Sequence, residues 1–181
     1  MDAIQAIMSR KSVRSYSVKP VEQEKIDILL KAANNAPKTG DLHITVVENH
    51  DLLSDINYKT LIAMKNSGND FLVGRANLPG YQPLYGAPLL LLFSVKDSNP
   101  FGLAATASCA AENAAIAATA LGLGSCYVVS PISTICNDKA IRDRLEIPEG
   151  FTPACGLIAG YQEGDKFSQP KKGGISVNYC K

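Results

Sequence analysis

Residues that bind metals are scarce in this chain. Only two histidines occur among 181 residues, and the five cysteines, at 109, 126, 136, 155 and 180, form no CxxC pair. Neither a zinc site nor a disulfide framework is indicated. The cysteines are odd in number and read as reduced thiols, several of them buried, in a cytoplasmic protein. Charge of one sign is also lacking: 18 Lys+Arg against 17 Asp+Glu leave a net charge of +1. That balance gives no bulk electrostatic case for a nucleic acid or an anionic membrane as partner. The opening "MDAIQAIMSRK" holds too short an apolar run for a secretory signal and begins with an acid. There is no GxSxG and no P-loop. "GLGSC" (122–126) lacks the GxGxxG spacing and follows a helical stretch instead of a strand. A serine hydrolase triad and a dinucleotide-binding fold are therefore unsupported. His43, inside a strand pattern, and His50 read as structural or exposed residues.

One run is apolar enough to raise the question of a membrane: "LAATASCAAENAAIAATAL" (103–121). Ten of its nineteen residues are alanine, and Glu112 and Asn113 stand at its centre, where hydrocarbon penalises both. A buried helix is the better reading. Around it, 181 residues suit one well-buried domain spanning 1–181. A short helix over 2–9 has Asp2 as N-cap and Ile4, Ile7 and Met8 on one face. A second, over about 21–35, follows Pro20, with Ile26, Leu29, Leu30 and Ala33 as its buried stripe. "HITVVEN" (43–49) reads as a strand, and 50–66 as a third helix. Residues 66–87, rich in Gly, Pro and Asn, read as a long loop. "PLLLLFSV" (88–95) is a strand buried on both faces. The alanine-rich helix then stops at "GLG" (122–124). "SCYVVS" (125–130) and "TPACGLIAGY" (152–161) are strands, and 137–145 is a short helix with Asn137 as its candidate cap. The tail alternates in "ISVNYC" and wants a sheet edge. Four or five strands among helices make an α/β or an α+β domain, and periodicity does not choose between them.

Chemistry-bearing residues gather in two basic clusters at opposite ends of the chain. One is "SRKSVRSYSVKPV" (9–21), with Arg10, Lys11 and Arg14; the other is Lys171/Lys172. Arg10 and Lys11 follow a helix end, where the dipole favours cations. The planar fork of arginine also suits phosphate oxygens, and Ser12 adds a hydroxyl donor. Either cluster alone is more often a solvated surface feature. One phosphomonoester needs only two or three such cations, so a small phosphorylated ligand fits better than a polymer.

Four stretches, in order, resemble the nitroreductase family of FMN-dependent oxidoreductases. "RKSVRSY" (10–16) is similar to its N-terminal signature and "AATALGLGSCYV" (117–128) to its helix and Gly-Leu-Gly turn. "IPEGFTPACGLIAGY" (147–161) resembles its Ile-Pro-Glu-Gly…Gly-Tyr strand, and "QPKK" (169–172) its Pro-plus-basic tail. The resemblance implies an α+β fold, a mostly antiparallel sheet flanked by helices, in an intertwined homodimer with FMN at the interface. The segment 165–181 would reach onto the partner subunit. The alanine-rich helix would pack closely, in the core or at the dimer contact. Arg10, Lys11, Ser12 and Arg14 would hold the phosphate and ribityl chain of FMN, and Lys171 and Lys172 would close on the phosphate. Val129, Ser130, Pro131 and Ile132 would pack against the flavin ring, with Ser130 or Ile132 donating an N–H near N5. The loop after Pro37 departs from the family by being short, which leaves Lys38, Thr39 and Asp41 between flavin contact and exposed turn.

The implied activity is transfer of reducing equivalents from NAD(P)H to a nitroaromatic or quinone by a ping-pong cycle. The flavin does the chemistry, so no catalytic acid, base or nucleophile is required of the protein. Phe71, Tyr81 and Tyr85 either line the substrate pocket or pack under the long loop. A flavin-binding carrier or sensor with little turnover is the alternative, and a phospholigand-binding dimer without flavin a further one.

Overall fold

Four strands, β1 (Asp41–Val47), β2 (Leu89–Lys96), β3 (Gly124–Val128) and β4 (Thr152–Gly160), form one sheet in the order β1-β2-β4-β3. Every pairing is antiparallel, which decides for α+β. The computed structural model describes residues 1–96, 99–167 and 173–180. Helices α1 (Ala3–Ser9), α2 (Gln23–Asn34), α3 (His50–Lys65), α4 (Asp70–Ala76), α5 (Pro100–Ala120), α6 (Ser130–Asn137) and α7 (Lys139–Leu145) surround the sheet.

Strand β2 explains its own sequence. Side chains alternate across a sheet, so Leu89, Leu91, Phe93 and Val95 enter the core shared with α2 and α5, while Leu90 and Leu92 enter the opposite one. All six are fully buried, each contributing about 1.5–3 kcal/mol relative to exposure. The apolar run has no polar face because it has no solvent face. On the first side, Ala107, Ala110, Ala111, Ala114, Ala115 and Ala118 of α5 are buried against sheet and α2. Their small size permits the close approach at which Asn113 donates to the Ala32 carbonyl, 3.1 Å. The core thus claims this alanine face. On the second side, Leu52, Leu53 and Ile56 of α3, Ile135 of α6 and Ile141 and Leu145 of α7 close over β2 and β4.

Three expectations need correction. The 66–87 stretch is not all loop, because Asn69 caps α4 through the Leu72 N–H (3.2 Å), with Ala76 buried beneath it. The strand expected over 125–130 ends at Val128, and α6 follows at once, with proline in its first turn, where its missing N–H costs nothing. Asp138, not Asn137, caps α7 by accepting from the Ile141 N–H, 3.0 Å. Asn137 is instead the last residue of α6. Helix α1 forms as expected, yet Ile4, Ile7 and Met8 are exposed and only Ala6 is buried. Residues 173–180 are exposed and form no strand pairing among the described residues.

Candidate functional site

The basic segment is set in place from both of its ends. Asp2 and Gln5 form a capping box that starts α1, and the helix stops at Ser9, with the Arg10 N–H still donating to Ala6 (2.9 Å). The chain then crosses the end of the sheet where β3 begins and β4 finishes. Val13 N–H donates to Ser125 (2.9 Å), Ser17 N–H to Tyr161 (2.9 Å), and Ser15 accepts from the Glu163 N–H (3.1 Å). Tyr16 is buried beneath the segment and donates its hydroxyl to the Val13 carbonyl, 2.8 Å; burial pushes this phenol far above its ordinary pKa.

The "GLG" turn supplies the room. Gly122, at φ 74°, takes the left-handed conformation after α5. Gly124 serves a different need, since a Cβ there would stand 2.8 Å from Val13 Cγ2. Arg10, Lys11, Ser12 and Arg14 are thereby delivered to the start of β3.

Their electrostatics converge on the buried thiol of Cys126. Burial raises its pKa, while the Arg14 charge, a hydrogen bond from Ser12 and the Arg10 charge oppose the rise. Arg10 is paired with Glu112 of α5, 3.0 Å. Arg14 is half-buried, donates to the Ser12 carbonyl at 3.4 Å, and has no carboxylate partner among the described residues. Lys11 is exposed. A guanidinium held without a counter-charge, beside a second guanidinium and a hydroxyl, is the donor set that a phosphomonoester takes.

A further cation belongs to this cluster, and sequence reasoning missed it. Arg75, on α4, also lowers the pKa of Cys126. Its Nη2 donates to the Tyr85 hydroxyl at 2.8 Å, and its guanidinium lies 5.3 Å from the Tyr81 ring centre. Tyr81, Tyr85 and Phe167 pack on one another with centroids 5.6–6.1 Å apart, so packing is the role of Tyr81 and Tyr85. Tyr85 also touches the core that holds Val13, Tyr16 and Cys126. Phe71, by contrast, is 72% exposed. A lone arginine in a stretch of Gly, Pro and Asn carries no local signal; only its rings give it away.

The other expected positions fall as follows. Val129 to Ile132 lie at the far end of β3, three residues beyond Cys126, about 10 Å along a strand. Val129 is exposed and Pro131 buried. The Ile132 N–H is already given to the Val129 carbonyl, 3.1 Å, which leaves Ser130, heading α6, as the available donor. Thr39 is tied to α5 through Thr106, N–H to Oγ1 at 3.0 Å, and Lys38 donates to Asn34, 2.8 Å. Asp41 opens β1. The short 37–42 loop is therefore fastened to α2 and α5. Lys171 and Lys172 lie outside the described residues.

A family-wide sequence pattern, described as the nitroreductase family, matches residues 7–161. The chain belongs to the nitroreductase family. The match takes in the basic segment, the glycine turn and all four strands. This nitroreductase-family chain is 29% identical over 171 residues to an Archaeoglobus fulgidus protein provisionally named NADH dehydrogenase/NAD(P)H nitroreductase, covering 91% of this chain and 88% of that one. It is 26% identical over 202 residues to a Bacillus subtilis protein named FMN reductase [NAD(P)H], covering 98% and 73%. A crystal structure of a Bacteroides fragilis nitroreductase with bound FMN superposes with a TM-score of 0.81 at 26% identity, covering 100% of this chain and 98% of the other.

Proposed function

We propose that this chain is an FMN-dependent oxidoreductase that carries reducing equivalents from NAD(P)H to an electron-poor flat acceptor, a nitroaromatic or quinone, in a ping-pong cycle. The observation that carries the reading is Arg14, half-buried without a carboxylate partner, beside Ser12 and Arg10 at the start of β3. When bound, FMN supplies a ring that accepts and gives up hydride. The protein's residues do the rest. Arg10, Lys11, Ser12 and Arg14 hold the phosphate and ribityl chain, joined by Lys171 and Lys172 of the tail. Val129 to Ile132, about one ribityl length along β3, pack on the ring, and Ser130 offers it an N–H.

A homodimer completes the site in this reading. Exposed apolar side chains support it: Ile4, Ile7 and Met8 on α1, Phe101 at the start of α5, and Ile175, Val177 and Tyr179 in the tail. Covering them by a second copy gives the alternating tail the partner it lacks among the described residues of one chain. No helix among the described residues is long and apolar enough to cross a membrane, in keeping with a cytoplasmic enzyme.

Two separate anaerobic half-reactions test the activity. NADH or NADPH alone is expected to bleach the yellow protein, and a nitroaromatic or quinone added afterwards to restore its colour. A yellow protein that neither cofactor bleaches is a flavin carrier or sensor instead.

A further inference from the structure

Tyr16 carries a group that the proposed mechanism does not use. Its ring fills the core beside Val13 and Cys126, a task that phenylalanine would perform as well. The hydroxyl therefore needs its own explanation. It donates to the Val13 carbonyl at 2.8 Å inside the core, and no other donor reaches that carbonyl among the described residues. Burial holds the phenol far above its ordinary pKa, so the proton is always there to give.

The bond closes a loop of four residues whose inner members are Arg14 and Ser15. Val13 and Tyr16 are buried, while Arg14 and Ser15 between them are half-buried. Each buried anchor is seated on a glycine: Val13 on Gly124, and Tyr16 on Gly160, where a Cβ would stand 3.2 Å from Tyr16 Cδ1. Three backbone hydrogen bonds hold the flanks. The bond from Val13 N–H to Ser125 orients the Ser12–Val13 peptide. The bond from Glu163 N–H to Ser15 orients the Ser15–Tyr16 peptide, and that from Ser17 N–H to Tyr161 the Tyr16–Ser17 peptide. None of them reaches the peptide that leads into Arg14. A peptide unit is planar, so a hydrogen bond to its carbonyl fixes the rotation of the whole unit. With that rotation goes the direction in which the Arg14 side chain leaves the backbone.

We propose that Tyr16 is a positioning residue whose hydroxyl orients the Val13–Arg14 peptide, so that the Arg14 guanidinium meets the cofactor phosphate and favours FMN over unphosphorylated flavin. The inference rests on the oxidoreductase reading and names the group that sets the cofactor preference of that site.

The test compares FMN with riboflavin, which has the same ring and ribityl chain without the phosphate. Each is titrated into the full chain freed of flavin and followed by quenching of flavin fluorescence. The wild type is expected to prefer FMN. Tyr16→Phe keeps the ring in the core and is expected to weaken FMN binding about fivefold, the scale of one hydrogen bond lost, with riboflavin held as before. Riboflavin binding also reports that the variant is folded, since a merely structural loss would weaken both flavins alike. Tyr16→Phe combined with Arg14→Ala is expected to bind FMN no more weakly than Arg14→Ala alone, because both changes act through one guanidinium. An unchanged ratio of FMN to riboflavin affinity in Tyr16→Phe, or additive losses in the double variant, overturns the proposal and leaves the oxidoreductase reading standing. A wild type that binds neither flavin overturns that reading, and the role of Tyr16 with it.

Discussion

Val13 rests directly on Gly124: a methyl group in place of the glycine hydrogen would lie 2.8 Å from Val13 Cγ2 and 2.9 Å from its Cβ. This contact couples the glycine turn after α5 to the segment that carries Arg10, Ser12 and Arg14, with the Val13–Ser125 hydrogen bond beside it.

Gly124→Ala is therefore expected to cost about 1–3 kcal/mol, the usual scale of overpacking in a filled core, and to weaken FMN retention by displacing the segment. Urea unfolding with and without FMN measures both effects. Unchanged values for each would mean that Val13 yields freely and that the contact positions nothing.

Glu112 competes for a cation assigned to the cofactor. The Arg10–Glu112 pair leaves both side chains partly exposed, 31% and 53%, so it adds no more than about 1 kcal/mol to stability. Glu112→Ala should leave the urea midpoint nearly unchanged and let FMN bind at least as tightly as in the wild type. A loss of FMN as large as that of Arg10→Ala would instead make Glu112 the group that aims Arg10 at the phosphate.

A pH dependence follows from the surface cluster at the start of α2. The Tyr161 hydroxyl, with Lys19 and Lys25, holds the Glu22 carboxyl at about 2, below its ordinary 4.5. A carboxyl depressed by folding gives stability that is present above the unfolded pKa and lost as pH falls through the folded one. The wild type should thus lose urea resistance between about pH 4.5 and 2, and Glu22→Gln should lose less over that window. Parallel curves for the two proteins would remove Glu22 from the account.

Much of this was open to reading in one dimension, for identifiable reasons. The apolar run 88–95 has no polar side because both faces of β2 are covered, and a run of that length admits little else. The alanines of α5 and the glycine stop after it announce close packing and a helix end through local chemistry. Helix α4 hid among breakers because seven residues carry too few turns for a period, although the Asn69–Asp70 pair is a capping signal. Helix α6 hid because the apolar "CYVV" reads on into "SPI", although proline after serine is the mark of a helix start. The basic cluster was legible at Arg10 to Arg14, where cations crowd along the chain. It was illegible at Arg75, which joins through Tyr81 and Tyr85, partners that only the folded chain brings beside it. The exposure of Ile4, Ile7 and Met8 was equally hidden, since an apolar stripe does not say which surface will cover it.

FMN titration of the wild-type protein and of Arg10→Ala and Arg14→Ala, followed by quenching of flavin fluorescence, tests the central claim most directly. The account predicts saturable binding by the wild type and a loss of about 1.5–3 kcal/mol in each variant, the scale of a hydrogen bond to a charged group, with the urea midpoints of the flavin-free proteins little changed. Equal FMN affinity in all three proteins, or none in the wild type, would contradict it.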